Sequence, residues 1–314
     1  MKLRFALLVI SASMVLPTTA GAQSAYPHDV VTLITHSSPG GGSDVFLREL
    51  ARHLGTQMNV RFVVMNVRGG SGARAMARLA NSPADGSVLY ATTPTYIYTS
   101  LLSRPGSTYR DLEPLVNVFF DEEVIYTRAD GPFQSLDDVI AAARAGRGRW
   151  GAANPASLER QALERLKTAA GVAPAVVTYE GGGELALNVL NGTLDIGVGE
   201  AIELRSQIDA QQVRLLAVFN AERSPQFPDV PTVKESGYDV VVSKFRGFAG
   251  PKGLPSDVIA AWEQGVERLL ANPDYRRQSA LLSPAFMPHG EYGSFIERFA
   301  AETERYLRAA GTIR

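Results

Sequence analysis

The fold is set by the glycine-rich sequence Pro39-Gly40-Gly41-Gly42-Ser43-Asp44. An apolar run of β type, from Val30 to Thr35, precedes it, and a helical pattern of apolar residues follows it. Strand, glycine loop and helix in this order begin a βαβ unit. Glycines let the backbone approach a ligand with its N–H groups, and the helix N-terminus adds a partial positive charge. The sequence therefore predicts a site for an anion, a carboxylate or a phosphate, although a tight turn would use the same glycines.

The same pattern recurs immediately downstream. A strand at 62–65 leads into the loop Asn66-Val67-Arg68-Gly69-Gly70-Ser71-Gly72 and a helix at 73–79. Neighbouring parallel strands would bring both loops to the carboxyl edge of one sheet, where open α/β sheets bind ligands. Neither loop has the G-x-G-x-x-G spacing of dinucleotide sites or the lysine of a P-loop. A bulky residue at Gly41 or Gly70 should abolish binding, by forcing backbone N–H groups away from the ligand and by requiring an unfavourable φ.

A second group of loops lies farther along the chain. Thr93 ends a third strand, where its hydroxyl can contact a ligand or cap a helix, and glycine loops return between 151 and 183. We expect two α/β lobes that face one cleft, since small-ligand sites often lie between domains. A strand is predicted at Val240–Val242, and two C-terminal helices at 257–270 and 292–310 should pack on the first lobe.

Composition excludes several classes of function. Among 314 residues there are 31 Lys or Arg, 32 Asp or Glu, four His and no Cys. The net charge of −1 gives no electrostatic case for nucleic acid or a membrane surface. Without cysteines there is no disulfide or thiolate chemistry, and so few histidines predict neither a metal nor a cofactor.

The N-terminus has the pattern of a cleavable signal peptide. Lys2 and Arg4 precede an apolar stretch from Phe5 to Leu16, which is too short to span a bilayer. Ala20-Gly21-Ala22 is a cleavage site of small residues, so cleavage is expected after Ala22. The sequence predicts export to the periplasm, with an uncleaved N-terminal anchor as the alternative.

The whole mature chain resembles the extracytoplasmic solute receptors of tripartite tricarboxylate transporters, the Bug or TctC-like family. The order and spacing of several fragments carry the resemblance. These fragments are Tyr26-Pro27, the two glycine loops at 39–44 and 66–72, Pro83–Gly86, Tyr179–Gly183, Leu190–Asp195, Leu215–Val218, Arg223–Pro225 and Pro228–Gly237.

The resemblance implies an α/β fold of the two-lobed periplasmic-binding-protein type (type II, Venus flytrap), each lobe a mixed sheet flanked by helices. It implies a signal peptide at 1–22, a first lobe at 23–122, a second lobe at 123–243, and a return to the first lobe at 244–314. It also implies that a ligand carboxylate lies against the two first-lobe loops while second-lobe loops supply selectivity. The residues expected to contact the ligand are Ser38, Pro39, Gly40, Gly41, Gly42, Asp44, Gly69, Gly70, Ser71, Gly72, Thr93, Asn154, Ser157, Tyr179, Gly181 and Arg246. Asp44 should mainly fix its loop and cap the helix.

The second lobe departs from the family pattern. The family loop Gly-Ser-x-Gly-x-Gly-Ser is Gly151-Ala152-Ala153-Asn154-Pro155-Ala156-Ser157 here, so Asn154 is expected to replace lost N–H donors. Arg246 stands where the family has an aromatic residue, and it would pair with a second ligand carboxylate or lie solvated at the surface. The acidic run Asp121-Glu122-Glu123 would face a cationic group of the ligand or form a solvated face.

The sequence therefore favours a receptor for a small organic acid, a mono- or dicarboxylate, that acts as a monomer with the permease subunits of a tripartite transporter. An orphan or sensory receptor of the same fold is the alternative. An enzyme is the less favoured interpretation, because His28, His36, His53 and His289 are scattered and form no nucleophile–base arrangement in the sequence.

Overall fold

The computed structural model describes residues 26–314. The predicted signal peptide and its cleavage site after Ala22 lie outside the described residues. The strands are β1 (Val30–Thr35), β2 (Arg61–Asn66), β3 (Val88–Thr92), β4 (Leu112–Asp121), β5 (Glu123–Arg128), β6 (Arg149–Ala153), β7 (Ala175–Tyr179), β8 (Ile196–Glu200), β9 (Val213–Val218), β10 (Lys244–Pro251) and β11 (Ser283–Met287). The helices are α1 (Gly42–Met58), α2 (Ala73–Ala80), α3 (Pro94–Ser103), α4 (Leu136–Arg144), α5 (Leu158–Ala170), α6 (Gly182–Leu190), α7 (Arg205–Asp209), α8 (Ser256–Ala271), α9 (Pro273–Gln278) and α10 (His289–Ala309).

Two mixed sheets form two lobes. The first sheet has the order β11-β4-β10-β3-β1-β2, and the second has the order β7-β6-β8-β5-β9. Strand β1 pairs in parallel with both β2 and β3, while β10 pairs antiparallel with β3 and β4. The loops after β1 and β2 therefore meet at one edge of the first sheet, as the repeated strand–loop–helix pattern predicted.

The chain passes between the sheets twice. Strand β4 of the first sheet ends at Asp121 and β5 of the second begins at Glu123. The chain returns before Lys244, where β10 begins in the first sheet. The prediction of a strand at Val240–Val242 is wrong. This stretch is an irregular connection between the lobes, and the Val242 N–H donates a hydrogen bond of 3.1 Å to the Phe219 carbonyl. The side chains of Val240 and Val242 instead pack into the core between the lobes, whereas Val241 is exposed.

The C-terminal part packs on the first sheet. Strand β11 pairs with β4, and α8 packs against α1 and β4. The sequence analysis did not identify β10, α9 or β11. Strand β10 has no alternation of apolar and polar residues, because all eight of its residues are buried.

Apolar packing joins the lobes as well as filling each one. One cluster contains Ile34 and Tyr90 of the first sheet together with Trp150 and Ile196 of the second. A second cluster packs α1 and α8 on the other face of the first sheet, with Trp262 fully buried. None of the helices in residues 26–314 combines the length and the apolar character that a membrane crossing requires.

Candidate functional site

The first glycine loop is held in shape by Asp44. The Gly40 N–H donates to Asp44 Oδ2 at 3.0 Å, the Asn66 amide donates to Oδ1 at 3.0 Å, and Arg48 forms an ion pair with it at 2.8 Å. Although burial opposes ionisation, the hydrogen bonds from Arg48 and Gly40 hold the pKa of Asp44 below its usual value. Asp44 fixes the loop as expected, and Gly41 rather than Asp44 is the N-cap residue of α1. A ligand contact of Asp44 stays a prediction.

The second loop is shaped by left-handed backbone conformations. The φ angles are +118° at Gly69, +61° at Gly70, +52° at Ser71 and +96° at Gly72. The reason given for a bulky residue at Gly70 therefore holds, since only glycine adopts such angles readily. At Gly41 the backbone reason is wrong, because its φ is −79°. The obstacle there is space, since a Cβ on Gly41 would overlap the Ser37 hydroxyl.

Loops of the two lobes touch each other across the cleft. A Cβ built on Gly181 would overlap Ser38 Oγ, and one on Gly41 would lie 3.6 Å from the Gly182 nitrogen. The Ala156 N–H of the second lobe also lies 3.4 Å from Ser71 Oγ, which accepts its hydrogen bond. The described conformation is thus closed at this edge, and the predicted first-lobe loops do face the second lobe.

A carboxyl group of the second lobe meets the N-terminus of α1. Glu203, in the turn after β8, accepts a hydrogen bond of 2.9 Å from the Gly42 N–H. Gly42 is the first residue of a 17-residue helix, where N–H groups lack helical partners and the helix dipole is positive. The first loop therefore binds a carboxyl group in this structure, and that group belongs to the protein.

Arg246 is paired inside the protein. Its guanidinium donates to Asp121 Oδ2 at 2.7 Å, to Ser43 Oγ at 2.8 Å and to Glu200 Oε1 at 2.8 Å. Arg246 is 0 % exposed, so the alternative of a solvated arginine is wrong. A ligand carboxylate at this position stays a prediction, and it would have to exchange with Asp121 or Glu200.

Lys244 lies among three carboxylates. Its ammonium is 3.1 Å from Glu123 Oε1 and 2.6 Å from Glu159 Oε1, and it also contacts Glu200. The three carboxylates offer oxygens within 4.8 Å of one another, a spacing that suits a metal ion. Because the Lys244 ammonium already lies among them, the cation that this cluster holds is the protein's own.

The solvated-face alternative for Asp121, Glu122 and Glu123 is also wrong, since they are 3 %, 6 % and 0 % exposed. Burial raises the pKa of Asp121 to about 6, although the Arg246 guanidinium opposes the shift. Burial likewise raises the pKa of Glu123 well above its usual value. Asp121 and Glu123 face protein cations, and a contact with a ligand cation stays a prediction.

The pKa values of Glu200 and Glu203 are shifted in opposite directions. Burial opposes ionisation of Glu200, but the positive charges of Lys244 and Arg246 outweigh it and lower its pKa. Glu203 has no such cation in contact among the ion pairs of the described residues. Burial and the negative charge of Glu200 therefore raise the pKa of Glu203 well above its usual value. The two shifts favour the ionised form of Glu200 and the neutral form of Glu203.

The sequence analysis missed Ser43, Glu159, Glu200, Glu203 and Lys244. One signal was present: Lys244 and Arg246 are two residues apart, which places both side chains on one face of a strand. A buried strand with two cations on one face requires buried acids opposite it.

Comparison with known proteins places the chain in a family. The model of the tripartite tricarboxylate transporter family receptor matches residues 46–308. The chain belongs to this family. Among curated relatives, the protein BugT of Bordetella pertussis is 28% identical over an alignment of 291 positions that covers 90% of this chain and 86% of BugT. A UPF0065 protein of Agrobacterium vitis, from the TAR-I ttuE-ttuC' intergenic region, is 26% identical over an alignment of 318 positions, gaps included, that covers 98% of this chain and 91% of that protein.

Solved structures of similar shape confirm the two-lobed fold. The R. palustris protein Rpa4515, solved with adipate, has a TM-score of 0.86 at 24% identity and covers 91% of this chain and 98% of that one. The periplasmic binding protein BugD has a TM-score of 0.85 at 22% identity, with coverage of 92% and 99%. MatC of Rhodopseudomonas palustris, solved with malate, has a TM-score of 0.80 at 20% identity, with coverage of 89% and 99%.

The remaining predicted contacts of this receptor lie at the ends of strands and helices. Thr93 is the N-cap residue of α3 without a capping side-chain bond, and its buried hydroxyl has no hydrogen-bond partner among the described residues. Ser157 caps α5 by accepting from the Arg160 N–H at 3.1 Å. Asn154 has a φ of +55°, and its N–H donates to the Tyr179 carbonyl at 2.6 Å. The structure brings these residues to the ends of their elements, and their ligand contacts stay predictions.

Proposed function

We propose that this chain is a periplasmic receptor that captures a small organic acid between its lobes and delivers it to the membrane permease of a tripartite transporter. The observation that carries the proposal is the hydrogen bond from the Gly42 N–H, at the start of α1, to the carboxyl group of Glu203 on the opposite lobe. In this contact the N-terminus of α1 binds a carboxyl group that reaches it from the opposite lobe, as a ligand carboxylate in the cleft would.

The comparisons support a carboxylate as the ligand class. Two R. palustris proteins of the same fold were solved with adipate and with malate, both of which are dicarboxylates. We propose that the loops at 38–44 and 69–72 hold one ligand carboxylate, while Thr93, Asn154, Ser157, Tyr179, Gly181 and Arg246 supply further contacts. The lobes divide at 122/123 and 243/244 in this proposal, and the receptor acts as an exported monomer without catalytic activity.

Binding works as a shift between open and closed lobes. A ligand that contacts both lobes stabilises the closed form by its differential affinity for that form. In the described closed form the two lobes contact each other through Gly41 and Gly182 and through Ser71 and Ala156. A ligand held near these loops would therefore be bonded from both sides.

Isothermal titration calorimetry of residues 23–314 with adipate and malate tests the proposal, with 1,6-hexanediol as the uncharged control for adipate. We expect at least one acid to bind and the diol not to bind. Gly41→Val should abolish binding because its side chain overlaps Ser37 and crowds Gly182. Gly106→Val is the matched control, since nothing lies within 4 Å of a Cβ there. The proposal of a carboxylate receptor would be refuted if adipate, malate and every acid of a wider panel of mono- and dicarboxylates failed to bind.

Delivery requires a separate measurement. Cells that lack this chain should lose uptake of the radiolabelled acid that binds, and restored wild-type chain should recover it. Restored Gly41→Val should not. If uptake in the deleted strain were undiminished, transport would not need this chain, and the alternative of a sensory receptor would replace delivery.

A further inference from the structure

The carboxyl group of Glu203 occupies the donor that a ligand would use. Its Oε2 accepts from the Gly42 N–H at 2.9 Å, and its Oε1 lies 3.4 Å from the Glu200 N–H. The two preceding N–H groups of the loop are already engaged inside the first lobe: Gly40 donates to Asp44 and Gly41 to the Ser38 carbonyl. Gly42 is thus the loop donor whose partner comes from the opposite lobe.

The second lobe leaves room for this carboxyl group. A Cβ on Gly182 would overlap both oxygens of Glu203, and a Cβ on Gly199 would overlap Oε1. Neither glycine has a positive φ, so the backbone conformation at these positions does not require glycine. The requirement comes from space, and the space is filled by the Glu203 side chain.

Glu203 has fewer charged partners than its neighbour Glu200. Glu200 pairs with Arg246 at 2.8 Å and with Lys244, whereas Glu203 forms no ion pair among those of the described residues. The raised pKa of Glu203 favours its neutral form, and a neutral carboxyl group interacts less strongly with a helix N-terminus than an ionised carboxylate does. An ionised ligand carboxylate is therefore the stronger partner of Gly42, while the tethered carboxyl has the advantage of high local concentration.

We propose that Glu203 is a specificity-determining residue that competes with the ligand for the N-terminus of α1, so that an acid binds only if its carboxylate displaces the Glu203 carboxyl. The inference rests on the proposed function and adds to it that this receptor selects acids by displacement. Acids whose ionised carboxylate reaches Gly42 displace Glu203, and compounds with a neutral amide or ester in its place do not.

Two substitutions separate displacement from simple charge repulsion. Glu203→Ala removes the competing group, whereas Glu203→Gln keeps an oxygen that accepts from Gly42. If Glu203 holds the donor about nine-tenths of the time, Glu203→Ala should bind malate or adipate about tenfold more tightly than wild type. Glu203→Gln should bind within about twofold of wild type. Glu222→Ala, at an exposed acid of the same lobe, is the control and should leave affinity unchanged.

The outcomes are distinguishable by calorimetry and by small-angle scattering of the ligand-free proteins. Tighter binding by Glu203→Ala alone, with a larger radius of gyration from loss of the bond between lobes, supports the proposal. Equal gains in Glu203→Ala and Glu203→Gln would overturn it in favour of charge repulsion. Unchanged or weaker binding by a folded Glu203→Ala, with wild type binding normally, would overturn it and leave the proposed function intact. Absence of binding by both wild type and Glu203→Ala would overturn both.

Discussion

Lys244→Met should lower the free energy of unfolding by about 3–5 kcal/mol at neutral pH. The Lys244 side chain is 3 % exposed, and its ammonium lies 3.1 Å from Glu123, 2.6 Å from Glu159 and in contact with Glu200. Methionine retains most of the length of the side chain, so little packing is lost. The cost arises because acids buried around the ammonium lose the charge that compensates them.

Urea unfolding followed by circular dichroism at pH 7.5 and at pH 5.0 measures this cost. The difference between Lys244→Met and wild type should shrink at pH 5.0, since protonation neutralises carboxylates that the variant leaves uncompensated. The exposed Lys234→Met is the control and should change the unfolding free energy by less than about 0.5 kcal/mol. A Lys244→Met protein as stable as wild type at pH 7.5, or equally destabilised at both pH values, would refute the ion-cluster reasoning.

Two further predictions concern the cleft and its pH dependence. Gly182→Ala should increase the radius of gyration of the ligand-free receptor in small-angle scattering, because its methyl group displaces Glu203; Gly183→Ala, whose Cβ meets its nearest atoms at 3.6 Å, should not. Burial, reinforced by nearby cations, lowers the pKa of His36 to about 3, so between pH 6.5 and 3 the unfolded chain binds a proton that the folded one excludes. The stability from neutral His36 is complete above pH 6.5 and falls by about 1.4 kcal/mol per pH unit below it. Urea unfolding should show that wild type loses about 2 kcal/mol relative to His36→Gln between pH 6.5 and 5.0, and parallel curves would contradict this.

The fold was largely accessible from the sequence because its signals are local. The glycine loops after β1 and β2, the capping serine at 135 and the periodic helix at 158–170 each act within a few residues of the chain. Parallel pairing of β1 with β2 follows from the connection through α1. The stretch at 240–242 has the composition of a strand, but its valines have another role. Val240 and Val242 are buried where the chain passes between the lobes, and burial favours the same β-branched residues as strand formation.

The charged cluster could not be read in the same way. Gly42 and Glu203 are 161 residues apart, and Arg246 and Ser43 are 203 residues apart. The first contact joins the two lobes and the second joins distant segments of the first lobe, so no local pattern encodes either of them. Arg246 and the acids at 121–123 stand out in the sequence. Which of these charges face each other depends on the antiparallel pairing of β4 with β10.

The place of this strand pairing affects how the two lobes can move. Asp121 pairs with Lys244 in the β-ladder register, next to the two points where the chain passes from lobe to lobe. In a rigid rotation the displacement of an atom grows with its distance from the axis, so groups beside the crossings travel least and loop tips travel farthest. The ionic cluster therefore moves least when the lobes rotate. The contact of Gly42 with Glu203 lies beside this cluster, because a Cβ on Gly42 would overlap the Arg246 guanidinium and the Glu200 carboxylate. A change at Glu203 therefore acts close to the axis, where a small displacement corresponds to a large movement of the distant loop tips.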